Sequence, residues 1–211
     1  INNAQTSGGS DWTGTEVVCD NYVNTSGAAA AYTDSCLIPT AVGSGYGQII
    51  GNAYHLKKIR VRGKVIKLTN SDAADVPTPQ TVRLMLVMDT RPNGAQAQGE
   101  DVMQDVGAVE TIYSFKRMTD EGDRFRILKD DIIRLAPTAS FEDGTNTGSV
   151  GFESQDFSFQ YQPKEPINVR VKVGNATPTV DGTVNCNIFM LMHTQGNAVT
   201  ITGASRAYYT E

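Results

Sequence analysis

The sequence feature that most constrains the fold is a two-residue alternation of apolar and cationic side chains in HLKKIRVRGKVIKL, residues 55–68. Successive side chains of a β-strand point to opposite faces, so this period indicates a strand with one buried and one exposed face. The buried side is expected to carry Ile59, Val61, Gly63 and Val65, and the exposed side Lys58, Arg60, Arg62 and Lys64. The alternation changes parity at Val65-Ile66, which predicts a bulge or bend there.

Further strands are predicted along the chain. TVRLMLVMD (residues 81–89) is apolar at nearly every position, as in a strand covered on both faces. RFRILKDDIIRL (residues 124–135) shifts parity near Lys129, which fits two short strands or one bent strand. FSFQYQPKEPINVRVKV predicts two strands separated by Pro163 and Pro166, since proline cannot donate to a central ladder. Its second half is expected to bury the valines up to Val173, and TVNCNIFMLMHT and AVTITGASRAYY predict the last two strands.

The order and spacing of these segments predict an all-β domain. GEDVMQDVGAV is expected to supply only a turn or two of helix. About seven or eight strands joined by long loops suit a Greek-key sandwich better than a meander. A chain of 211 residues fits one such domain, here residues 36–211. Residues 1–35, rich in Ser, Thr, Gly, Ala and Asn, are expected to form an extended N-terminal arm or loop leading into the first strand.

Composition limits the class of protein. The chain is 39% hydrophobic and 19% charged, which suits a folded domain, and it has no apolar run long enough to cross a bilayer. Membrane insertion and a retained signal peptide are therefore not expected. Three cysteines without CxxC spacing favour reduced thiols over a disulfide framework or a thiolate zinc site, with a Cys19–Cys36 bridge as the minor alternative.

The sequence contains no recognisable catalytic or metal-binding motif. His55 and His193 do not have the spacing of metal ligands. The carboxylates at Asp120, Glu121 and Asp123, and at Asp130 and Asp131, lack the ladder of a calcium loop, so solvated turns are favoured over a Ca²⁺ site. No serine lies in a GxSxG motif. We therefore expect neither an enzyme nor a cofactor.

The basic strand is the one cluster that suggests a binding function. Alternate residues of a strand are about 6.6 Å apart, so its cations would form a row about 20 Å long, able to follow several phosphates of a nucleic acid. The alternative is that Lys and Arg protect an exposed edge strand from pairing with another chain, which is a common use of these residues. The candidate phosphate contacts are Lys57, Lys58, Arg60, Arg62, Lys64 and Lys67.

A series of motifs, in order, covers the chain from about residue 45 to residue 210. It consists of GYGQIIGNAYHLKKIRVRGKVIKL, TVRLMLVMDTRPNG, RFRILKDDIIRL, VRVKV and the two C-terminal strands. The series resembles the capsid proteins of circovirus-like, Rep-encoding viruses with circular single-stranded DNA. Such capsids have an Ile-Gly loop before a basic strand, then R-x-x-L-V-x-D and R-F-x-I-L-x-D. The matching residues here are Ile50-Gly51 and residues 57–68, 83–89 and 124–130.

The resemblance implies a single eight-stranded antiparallel jelly roll with long inter-strand loops. Copies of such a protein assemble into an icosahedral shell, most simply of sixty subunits, around a single-stranded DNA genome. The expected locations are the virion and, during assembly, the host cell nucleus; the sequence does not indicate a cell-surface receptor. Trp12, Tyr22 and Tyr46 are candidates for stacking on unpaired bases, although burial is the commoner fate of such residues.

The charge distribution of the chain departs from the family pattern. Capsids of this group usually begin with an arginine-rich arm, whereas the charged residues before Lys57 are all acidic: Asp11, Glu16, Asp20 and Asp34. Because the sequence begins with Ile1 rather than Met, we expect such an arm to precede it; the alternative is that the protein condenses DNA by other means. The alternatives to a capsid are a lectin-like or cytokine-like jelly-roll binding module, which needs a ligand site, and a jelly-roll enzyme, which normally needs a pair of metal-binding histidines.

Overall fold

A computed structural model of the 211-residue chain shows an all-β fold, as the alternation predicts. The structure describes residues 30–32, 37–38, 42–43, 49–67, 80–94, 97, 99–104, 112–117, 124–135, 141–143, 146–148, 154–174, 182–195 and 199–210. Most of these residues lie in two antiparallel sheets. Within this part of the chain, no helix has the length and apolar character needed to span a membrane.

The strands vary from short pairing segments to strands that run the length of a sheet. They are β1 (Ala30–Tyr32), β2 (Ala53–Lys67), β3 (Gln80–Asp89), β4 (Phe125–Leu135), β5 (Phe141–Asp143), β6 (Asn146–Gly148), β7 (Ser154–Tyr161), β8 (Ile167–Arg170), β9 (Asn187–Gln195) and β10 (Val199–Thr210). One helical turn, α1 (Gly99–Val102), lies in the segment where the sequence predicts a turn or two. β1 forms within the predicted N-terminal arm, and residues 1–29 of that arm lie outside the described part.

The strand order shows that the chain crosses repeatedly between the two sheets. One sheet has the order β1-β9-β3-β4, and the other has β10-β2-β7, with β8 also paired to β2. β2 and β3 are consecutive in the chain yet belong to different sheets, as do β9 and β10. β5 and β6 form a separate two-stranded pair.

β2 is the central strand of its sheet. β10 pairs with it along almost its whole length, and on the opposite side β7 and β8 follow one another. β8 pairs with Ala53 to Leu56 and β7 with Ile59 to Ile66. Proline-containing residues 162–166 connect these two partners, which confirms the predicted separation into two strands.

The predicted irregularity in β2 was placed at the wrong end of the strand. Pairing with β10 is continuous through Val65 and Ile66, and the register shifts instead between Lys58 and Leu56, which leaves Lys57 as the extra residue. Tyr54 and Leu56 are buried before this bulge, and buried residues resume at Ile59. The bulge therefore reconciles two apolar series of opposite parity, and the adjacent cations at 57 and 58 were its signal in the sequence.

β3 is buried on both faces, as its apolar sequence predicts. Val82, Leu84 and Leu86 belong to the core shared by both sheets, together with residues of β2, β7, β9 and β10. Met85 and Val87 face the other way and pack in a second cluster with Val102 of α1 and Met103. Ala97, Val102 and Met103 therefore cover part of the outer face of this sheet.

β4 is a single strand with an irregularity, which resolves the two interpretations of its sequence. The register against β3 shifts between Leu86 and Val87, leaving Leu128 as the extra residue. Val173 differs from its prediction: β8 ends at Arg170, and Val173 is 84% exposed just before Gly174, whose φ is 78°. The valine series continues in the sequence beyond the end of the sheet, so its last member has no core to enter.

Candidate functional site

The strongest concentration of charge in the described part lies on the outward face of the sheet built around β2. Ile59, Val61 and Val65 are buried in the core, so the intervening residues project outward, as the alternation predicts. Neighbouring strands add cations that flank buried residues in the same way. We call the following set the cationic face: Lys57, Lys58, Arg60, Arg62, Lys64, Arg170 and Arg206.

The sheet topology bears directly on why these cations are there. β2 has hydrogen-bonded partners on both sides over residues 59–66, so Arg60, Arg62 and Lys64 do not lie on an edge strand. Protection of an exposed edge by Lys and Arg therefore does not explain the row. An outward face of a central strand is instead open to a ligand approaching perpendicular to the sheet.

Two cations of this face have contacts within the sheet. The Lys58 ammonium lies 5.3 Å from the ring centroid of Tyr208, the residue directly opposite it on β10. The Lys64 ammonium lies 3.8 Å from a carboxylate oxygen of Asp156 on β7, and both side chains are largely exposed. Exposed pairs of this kind contribute little to stability. Asp156 is also the only acidic residue in the sequences of β2, β7, β8 and β10.

Arg60 lies at the centre of the cationic face, between Arg206 of β10 and Gln160 of β7. Its side chain is half-buried, and its Nε atom is inaccessible to water and has no hydrogen-bond acceptor. Neither Arg60 nor Arg206 has an ion-pair partner among the described residues. The pair therefore presents two positive charges at one place, together with one buried donor that has no acceptor.

The structure places the side chains of five of the six candidate phosphate contacts that the sequence suggests. The five from Lys57 to Lys64 are on the cationic face, whereas Lys67 is placed only by its backbone, which pairs with Val199; its side chain is outside the description. Arg170 and Arg206 were missed. Both lie in predicted strands, but the sequence does not reveal that these strands pair with β2 and so bring their cations beside it.

The motifs on which the family resemblance depends form a reciprocal pair of ion pairs. Arg83 is the first residue of the motif in β3, and Asp130 is the last residue of the motif that begins at Arg124. Arg83 donates to the carboxylate of Asp130 through Nε and Nη2, at 2.8 and 2.6 Å. Arg124 binds Asp89 in the same two-pronged way, at 3.0 and 2.8 Å. β3 and β4 are antiparallel, so equal Arg-to-Asp spacing in both motifs brings each arginine to the other's aspartate.

Arg83 also anchors a loop to the sheet. Its Nη1 donates to the carbonyl oxygens of Ile112 and Ser114, at 3.0 and 2.6 Å. The same guanidinium occupies both oxygens of Asp130, so this carboxylate serves an ion pair and is not available to a cation. Asp131 is exposed and accepts from the backbone of Ile132, while Asp120, Glu121 and Asp123 lie outside the described residues.

The histidines, cysteines and aromatic residues that the sequence analysis weighed for catalysis, metal binding or base stacking do not form a cluster in the described part of the chain. His55 is exposed and His193 is buried, and no group of three potential metal-ligating side chains occurs among the residues described. Cys186 is buried, whereas Cys19, Cys36, Trp12, Tyr22 and Tyr46 are outside the description. In comparisons with models of protein families and with curated proteins, the chain matches none.

Proposed function

We propose that this chain is the capsid protein of a circovirus-like virus with circular single-stranded DNA, and that it acts as a structural protein without catalytic activity. The observation that carries the proposal is the cationic face: in a chain of net charge −5, cations are gathered on the outward side of a central strand. A surface of this kind suits a polyanion bound through its phosphates, without sequence preference.

Two further observations support the proposal. The two sheets contain four strands each once β8 is counted beside β7, and the chain passes from one sheet to the other between β2 and β3 and between β9 and β10, which suits an eight-stranded jelly roll. The reciprocal ion pairs give the two Arg-to-Asp motifs a shared structural purpose, because together they fasten β3 to β4. Because each motif supplies the ion-pair partner of the other, finding both in one chain supports the family resemblance more than finding either alone.

In this proposal, copies of the chain assemble into an icosahedral shell, most simply of sixty subunits. Identical subunits then bury the same loop and strand-end surfaces against one another, which is how closed symmetric assemblies form. The cationic face would line the interior and contact the genome. The places of action would be the virion and the nucleus of the host cell.

Size-exclusion chromatography with electron microscopy of the purified protein tests the proposal. We expect uniform spherical particles under some condition of salt and pH, and nucleic acid released from them by high salt. A small species that persists under all assembly conditions would reject the capsid function. That result, combined with binding of a small ligand, would support a jelly-roll binding module instead.

A further inference from the structure

Two arginines face each other directly at the centre of the cationic face. Arg60 of β2 and Arg206 of β10 are partners in the antiparallel register. The residues flanking each of them are buried, so both side chains project to the same outward side. Side chains paired in this way have Cβ atoms about 4.5–5.5 Å apart, and like charges in this arrangement destabilise a sheet. The pair is therefore unfavourable unless an anion lies between its members.

Among the residues that the structure describes, no carboxylate forms an ion pair with either arginine. Gln160 lies opposite Arg60 on β7, and Ser158, two residues away, lies opposite Arg62. The nearest carboxylate along β7, that of Asp156, is paired with Lys64. The buried Nε of Arg60 has no acceptor. A polar group held away from water without a partner costs stability, so Arg60 gains if its side chain turns toward an acceptor that a ligand supplies.

We propose that Arg60 and Arg206 form one site for a tetrahedral phosphate oxyanion. A guanidinium presents a planar fork of donors that matches phosphate oxygens, and two opposed forks can hold one phosphate between them. Gln160, the partner of Arg60 on β7, is the neighbouring residue with an amide donor on the other side. In the particle the occupant is a phosphodiester of single-stranded DNA; this identification rests on the proposed function, whereas the oxyanion site itself rests on the arginine pair.

A specific two-arginine site and nonspecific electrostatic binding should respond differently to charge-conserving substitutions. A diffuse field depends only on the number of cations, so Arg→Lys variants would bind as the natural chain does. A two-forked site depends on the guanidinium shape, so lysine cannot replace arginine there. Arg62→Lys measures the contribution of a guanidinium of the cationic face outside the pair, because Arg62 lies on the same strand and face, opposite Ala204 rather than another cation. Its loss of affinity should be smaller than that of either variant of the pair.

The first test measures binding of an oligo(dT) to the wild-type protein and to Arg60→Lys, Arg206→Lys, the double variant and Arg62→Lys, at fixed salt. We expect each single site variant to lose about ten-fold in affinity, as for loss of a hydrogen bond to a charged group. The double variant should lose little more than one single variant, because each arginine acts through the other. Wild-type affinity in all the lysine variants would overturn the site.

The second test uses inorganic phosphate and thermal unfolding, at ionic strength matched with chloride. Phosphate should raise the midpoint of the wild-type protein and have no effect on Arg206→Gln, whose midpoint without phosphate should exceed that of the wild-type protein. A phosphate response without oligo(dT) binding would retain the oxyanion site and reject DNA as its ligand. Oligo(dT) binding with equal phosphate responses in both proteins would reject the site and leave the proposed function standing.

Discussion

The ion pair between Asp89 and Arg124 should be the most stabilising of the described polar contacts. The Asp89 side chain is 2% exposed and that of Arg124 is 16% exposed. The carboxylate accepts from Arg124 Nε at 3.0 Å and Nη2 at 2.8 Å, and from the backbone N–H of Arg91 at 2.9 Å. Asp89→Ala removes all three acceptor contacts and leaves a mostly buried guanidinium without its counter-ion. Breaking a buried pair in this way costs about 3–5 kcal/mol.

Asp130→Ala should cost less, about 1–3 kcal/mol, although it breaks the reciprocal pair. The Asp130 side chain is 35% exposed, so water compensates part of the loss. Its partner Arg83 also retains two acceptors, the carbonyl oxygens of Ile112 and Ser114. Asp131→Ala is the matched control, since Asp131 is exposed on the same strand and its described hydrogen bond is to the adjacent N–H of Ile132. Its effect should be within about 0.5 kcal/mol.

Urea denaturation of the unassembled protein, followed by far-ultraviolet circular dichroism, measures these free energies, provided that the urea slope m is unchanged. The double variant Asp89→Ala/Arg124→Ala should be less destabilised than the sum of the single variants, by about 1–3 kcal/mol, because both single changes break the same ion pair, whose loss is then counted only once. The reasoning fails if Asp89→Ala is within about 1 kcal/mol of the Asp131→Ala control, or if the two single effects are additive.

Three further predictions concern the sheet that contains β2. Replacing Lys58, Arg60, Arg62 and Lys64 with Gln should lower the nucleic-acid content of assembled particles and the salt dependence of DNA retention, measured by absorbance ratio after salt washes. Asp156→Asn should change stability by less than about 1 kcal/mol but strengthen oligo(dT) binding, because it removes an acidic group from the face. Gly203→Ala should destabilise by about 1–3 kcal/mol in thermal unfolding and speed amide exchange between β2 and β10, because its Cβ would lie 2.5 Å from the Arg62 carbonyl oxygen.

The elements of this fold that are determined locally could be predicted from the sequence. The alternation of β2 identified its buried and exposed faces, and the uninterrupted apolar run of β3 identified a strand covered on both sides. Both inferences depend only on the two-residue period of a strand. The bulge was misplaced because an apolar pair and a cationic pair each change the parity, and only pairing with β10 shows that the change occurs at Lys57.

The parts of the site that depend on which strands become neighbours were not predictable in the same way. Arg206 is more than a hundred residues from Arg60 in the chain, and nothing in AVTITGASRAYY indicates that this strand pairs with β2. Pairing with β7 and β10 is also what removes edge protection as an explanation for the row. Strand order thus both excludes one explanation of the charge and creates the arginine pair, although neither consequence is encoded within a single strand.

The ion pairs of β3 and β4 lie between these two cases, because the sequence contained a usable signal. The interval from Arg83 to Asp89 equals that from Arg124 to Asp130, and antiparallel pairing of two strands with equal intervals brings opposite charges together at both ends. In the observed register Arg83 lies opposite Ile132 and Asp89 lies opposite Phe125, so each ion pair joins neighbouring rather than directly opposite positions, and the spacing alone does not specify the alignment of the strands. Equal Arg-to-Asp intervals in two predicted strands therefore predict that those strands are antiparallel neighbours, an inference that single-strand periodicity cannot supply.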